Sequence, residues 1–106
     1  MKRAGPVAGL VCAVALAGKA DAPDGFRKTM DEAMARMHAG MHVPYSGDAD
    51  RDFARMMIPH HQGAIDMALA ELRYGKDERL RRLAQEIVVA QKQEIDVMRL
   101  VLGEVR

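Results

Sequence analysis

Tryptophan is absent, tyrosine and phenylalanine occur twice each, and the one cysteine, Cys12, lies close to the amino terminus. A core hung on large aromatic anchors is therefore excluded, and so is a disulfide within the chain. Ser46 is the only serine, which leaves little from which to build a Ser-His-Asp triad. There is no Gly-rich phosphate loop, no His-Glu-x-x-His and no Glu-x-x-His. Nucleotide, zinc-protease and paired di-iron chemistry lose their usual signatures together. Neither an enzyme nor a nucleotide or organic cofactor is expected. A basic stripe with interleaved aromatics is also missing, which argues against nucleic acid. Finally, nothing alternates with a period of two, so strands are not expected.

What is present begins with an address. Lys2 and Arg3 precede an Ala/Val/Leu-rich run from Pro6 to Gly18, and the small residues Gly18 and Ala20 follow. This order reads as a secretory signal peptide over residues 1–20, removed on export to the periplasm or the medium. The run is too short to cross a hydrocarbon core of about 30 Å as a permanent helix, so no stable membrane insertion is expected after cleavage. An uncleaved anchor is the alternative. Val11 before Cys12 disfavours a lipoprotein. Loss of Lys2, Arg3 and Lys19 takes Lys+Arg from 16 to 13 against 15 Asp+Glu, a net charge of −2. The remainder suffices for one small domain, taken as residues 24–104.

Three stretches of helical spacing predict an all-α, antiparallel helical bundle. The first runs from about Phe26 to His42, started by Asp24 or by the Thr29-Met30-Asp31-Glu32 capping box and stopped by Gly40 or Pro44. The second runs from Ala49 to Tyr74 after Ser46-Gly47-Asp48, with Gly75 as a left-handed cap. The third follows Asp77 and ends near Leu102. Pro59 predicts a kink in the second helix or its division in two. Short connections make an incomplete four-helix bundle, with a second copy of the chain as a candidate for the missing cover.

At 100° per residue the third helix gathers Leu80, Leu83, Ile87, Gln91, Glu94 and Met98 in one stripe. A buried, unpartnered polar group costs about 1–3 kcal/mol, so Glu94 needs a partner, a proton or more exposure than the stripe suggests. His61 falls on the facing side of the second helix. Met56 and His60, and Met57 and His61, are spaced i and i+4, which sets each thioether beside an imidazole. The first helix carries Met34, Met37, His38, Met41 and His42 without a single Leu, Ile or Val between Phe26 and His42.

A methionine stripe is ordinarily flexible core filling, and a lone histidine on an apolar face is ordinarily a hydrogen-bonded core residue. Together, in a cysteine-free exported chain, they suggest a different use. Thioether sulfur is the softest ligand left, and with imidazole it selects Cu(I), and by similar softness Ag(I). The first candidate ligand set is Met56, Met57, His60, His61 and Met67, and the helix-one group is a second cluster. Gln91 and Glu94 are candidates either for core hydrogen bonds that fix the His61 tautomer or for orienting a ligand imidazole. The charged residues Arg79, Arg81, Arg82, Glu86, Lys92, Asp96 and Arg99 read as a solvated face. The competing interpretation is a metal-free structural or protein-interaction module.

Phe53-Ala54-Arg55-Met56-Met57-Ile58-Pro59-His60-His61-Gln62-Gly63-Ala64-Ile65-Asp66-Met67-Ala68, then Tyr74-Gly75-Lys76-Asp77, and finally Gln91-Lys92-Gln93-Glu94-Ile95-Asp96-Val97-Met98, resemble the domain-of-unknown-function 305 family over about residues 50–102. The resemblance implies a ferritin-like helical bundle in exported bacterial proteins, some associated with copper and silver. Carried over by position, it implies Met57, His60, His61 and Met67, with Gln91, Glu94 and Met98 on the facing helix. It implies nothing secure for the helix-one cluster.

Overall fold

The computed structural model describes residues 2–5 and 22–105. The signal-peptide reading falls mainly on residues 6–21, outside those described. Among the described residues there are three helices and no strand: α1 (Ala22–Met41), α2 (Ala49–Tyr74) and α3 (Glu78–Val101). The described chain thus has three helices where a four-helix bundle would need one more. None of them is long and apolar enough to cross a membrane.

Local chemistry sets most boundaries. The Asp48 carboxylate accepts from the Arg51 N–H at 3.1 Å and starts α2. Asp77 accepts from the Arg79 and Leu80 N–H groups at 2.9 and 3.2 Å and starts α3. The Arg79 side chain, which donates to Asp77, and these N–H groups hold its carboxyl below the ordinary value. α1 begins at Ala22, ahead of both expected starts, with Pro23 in its first turn. Thr29 lies inside it, its hydroxyl donating to the Gly25 carbonyl at 2.8 Å, so the capping box is not used.

Two expectations are corrected. Gly75 is extended (φ −74°, ψ 160°), not left-handed. The Glu71 carboxylate lies where a Cβ on residue 75 would stand, so a larger residue there would displace that flexible side chain. The left-handed cap is Gly103 (φ 75°), where the Glu104 and Gly103 N–H groups reach back to the Arg99 and Leu100 carbonyls at 3.0 and 3.1 Å. And α2 runs unbroken through Pro59, so the two-helix alternative fails. The ring removes one N–H from the ladder, and the rest of the long helix bridges the gap.

α2 is the middle helix. Gly40 meets Pro59, Met37 meets Gly63, Arg36 meets Asp66 at 3.4 Å, and Phe26 meets Tyr74 edge to face at 6.2 Å. The order is descending on α1 and ascending on α2, so the pair is antiparallel. On the other side His61 meets Glu94, and Arg81 donates to the Leu72 and Gly75 carbonyls at 2.6 and 3.2 Å. Arg81, read from sequence as solvated, therefore caps the end of α2. No Cα of α1 comes within 8 Å of α3. Gly63 and Ile65, which face the two neighbours, are about 160° apart on the α2 wheel. The helices lie side by side in one layer.

The core is thin. Among the described residues the buried apolar ones are Ala33, Ala54, Ile65, Ala68, Ala70, Ala84, Ile95 and Met98, and no large side chain is fully buried. Alanine at five of eight positions lets backbones approach closely but removes little apolar area from water. The main cluster, Ala54, Ile65, Ile95 and Met98, joins α2 to α3, with Met57 and Val88 packed against it.

Candidate metal centre

The position of α2 is fixed first by a contact that sequence reasoning overlooked. Asp52, buried in its first turn, accepts from the Ser46 N–H at 2.9 Å and the Ser46 hydroxyl at 2.7 Å. Those bonds, the backbone first, hold its carboxyl below the ordinary value against the opposing effect of burial. The α1–α2 connection is locked there, two turns before His60. The separation of six residues between Ser46 and Asp52, with Asp48 between them as cap, was the available signal.

Beyond it, α2 directs His61 toward α3. His61 Nε2 lies 2.6 Å from Glu94 Oε2, with the imidazole side chain 12% and the carboxylate side chain 58% exposed. Glu94 therefore has the partner the wheel called for, but it sits at an open rim instead of inside a covered stripe. The stripe is open at its amino-terminal end, where Leu80 and Leu83 are 52% and 48% exposed, and closes only at Met98, which is buried. Gln91, one turn earlier, is half-buried.

A carboxylate can only accept, so the proton of this hydrogen bond belongs to Nε2. In the neutral ring the lone pair then falls on Nδ1, which is buried and has no hydrogen-bond partner among the described residues. A ring with one nitrogen held by a carboxylate and the other bare is the arrangement that presents a histidine to a metal.

The remaining candidates divide. Met98 is buried and shares a cleft of about 320 Å³ with Phe53, His61, Glu94 and Val97. Met67 lines a second cleft of about 300 Å³, walled by Ala64, Leu80, Leu83 and Ile87 among others. Met57 packs against the core, Met56 is half-buried and His60 is exposed. The two imidazole centroids are 6.0 Å apart and tilted by 58°. On α1, Met37 packs onto Gly63, Met41 is half-buried, and Met34 and His38 are exposed, as is His42 just beyond the helix end. Within one chain the geometry unites His61, Glu94 and Met98, and it leaves Met67 and the α1 cluster apart.

Among the described residues no three His, Cys, Asp or Glu side chains form a group that could hold a metal. A site on this surface would need thioether donors, which favours soft ions over hard ones.

Comparison with known proteins agrees with the residues. Over 55 residues the chain is 38% identical to an uncharacterized protein of Acanthamoeba polyphaga mimivirus, covering 52% of this chain. It spans 36% of that relative's length, about a third. The model of the domain of unknown function DUF305 matches residues 13–102, nearly the whole chain, and the protein belongs to that family.

Proposed function

We propose that this chain is an exported small metal-binding protein that sequesters or hands over Cu(I), with Ag(I) as a second soft ion, through methionine and histidine side chains. On this reading residues 1–20 leave as a signal peptide, and the rest works in the periplasm or outside the cell. It does so as a ferritin-like antiparallel bundle, bent locally at Pro59. The ion is cargo, and no catalytic role is assigned.

The observation that carries the reading is the bare, buried Nδ1 of His61, opposite an Nε2 held by Glu94 at 2.6 Å. Met57 one turn earlier and Met98 in the same cleft are the thioethers assigned to it, with Met56, His60 and Met67 on the same helix. The absence of cysteine after Cys12 supports a thioether site, since methionine carries no proton to lose and forms no disulfide. A competition titration of the mature protein with Cu(I), beside a His60→Ala/His61→Ala variant, tests it. Tight binding lost in the variant is the expected result, and equally weak binding by both defeats the proposal.

A metal-free structural or interaction module is the second reading. It is favoured by Met37, which fills the space over Gly63 as ordinary packing, and by a His61–Glu94 bond that is complete without an ion. It expects Cu(I) to leave thermal unfolding unchanged, whereas an ion bound only by the folded state raises the melting temperature.

A further inference from the structure

A single layer of helices has two faces, and here they differ in kind. One face of α2 carries Arg51, Arg55, Gln62, Asp66 and Arg73, with Arg36 of α1 paired to Asp66. On the other face Phe53, Ala64, Met67 and Glu71 fall within about 60° of one another on the helical wheel, and both clefts open there. α3 continues this face with Leu80, Leu83 and Val97, and Phe53 and Val97 are 62% and 61% exposed. Between α2 and α3 its charged members are Glu71 and Glu94, the latter already bonded to His61.

We infer that a second copy of this chain covers the face, stacking layer on layer about a twofold axis near Ala64. Two observations select this occupant. α2 and α3, of 26 and 24 residues and spaced roughly 8–10 Å apart, present a face of about 700 Å². That approaches the roughly 800 Å² per partner of a stable interface and exceeds the roughly 300–600 Å² patch of an ordinary monomer. The missing core is the second observation: with no large side chain fully buried, another layer supplies what one layer lacks.

Sedimentation equilibrium of the purified protein, with its mature mass established and a chelator present, is expected to give twice the chain mass. Phe53→Glu shifts it to monomer, raising the dissociation constant at least about 30-fold. Leu69→Glu, on the opposite face and 49% exposed, leaves the dimer intact. In case Phe53→Glu fails to fold, Ala64→Cys in a Cys12→Ser background is treated with a short bismaleimide. It is expected to yield a covalent dimer, and Leu69→Cys is not. A monomer at every concentration overturns the inference, as does crosslinking through residue 69 only. So does a folded monomer whose face is covered by residues 6–18 of the same chain.

Discussion

Gly63→Ala measures how tightly α1 is held against α2, because two opposing effects of known size decide its sign. Alanine in a helix interior is favoured over glycine by about 1 kcal/mol. Against this, a Cβ on Gly63 would lie 2.8 Å from the Met37 sulfur, 3.0 Å from its Cβ and 3.1 Å from its Cγ. The sulfur is the mobile end of a flexible side chain and can swing away. The Cβ is fixed to the α1 backbone, so relief at that atom requires the helices to part. Overpacking of this kind costs about 1–3 kcal/mol. The expected net loss is about 1 kcal/mol, or a fall of roughly 4–8 °C for a domain of this size. The assay is thermal unfolding followed by circular dichroism, completed as a cycle with Met37→Ala. Truncating Met37 to alanine removes the sulfur and Cγ but keeps the Cβ at 3.0 Å, so the loss on Gly63→Ala should shrink without vanishing. If Gly63→Ala raises the melting temperature while Met37 is intact, the close contact between α1 and α2 is not real.

Other perturbations probe the core, the loop and the histidine. Ile65→Ala removes one of the few branched side chains in the α2–α3 cluster and should cost about 2–4 kcal/mol in urea unfolding, and a loss under 1 kcal/mol would place the core elsewhere. Asp52 and Asp77 are both held below their ordinary value of 3.8. Depressed folded values mean that the unfolded chain binds protons first, so their contribution is complete above about pH 5 and is lost as pH falls through the folded values. Asp52→Asn should therefore flatten the acid limb of a melting-temperature profile and leave its shape above pH 6 unchanged. Nitrogen NMR of the His61 ring should show the proton on Nε2 in the metal-free protein, shifting toward a mixture in Glu94→Ala, and an Nδ1–H tautomer in the wild type would contradict the hydrogen bond.

The helices were legible because their signals are local. Asp48 and Asp77 precede periodic runs, and a side chain that captures the first free N–H groups of a helix works in any fold. Gly75 and Gly103 show where locality ends. Both follow a helical run, but whether a glycine there takes a positive φ or an extended one depends on the path of the next segment. Pro59 offered a kink or a break, and only the break is excluded, since a 26-residue helix packed on two sides tolerates one missing bond. At the site, the wheel brought Glu94 to His61 because both lie on the facing sides of adjacent helices. It misjudged the burial of Glu94 because periodicity marks an apolar face without telling whether anything covers it. Arg81 was out of reach altogether, as its partners are carbonyls freed by the end of another helix.

The bare nitrogen of His61 allows stability to separate the two functional readings. A buried acceptor without a donor costs about 1–3 kcal/mol, and the metal-free protein bears that cost in full. An ion that takes the lone pair removes it, so the feature that weakens the empty protein strengthens the loaded one. A histidine kept for structure has no such compensation. His61→Leu/Glu94→Leu exchanges the pair for apolar side chains without stranding either partner, and such exchanges are commonly neutral or stabilising. On the metal-binding reading, the double variant should unfold at or above the wild-type denaturant midpoint in the presence of chelator. Added Cu(I) should then raise the midpoint of the wild type and not that of the variant. If the variant instead loses more than about 2 kcal/mol without metal, the pair is a structural network, and the proposed site loses its central ligand.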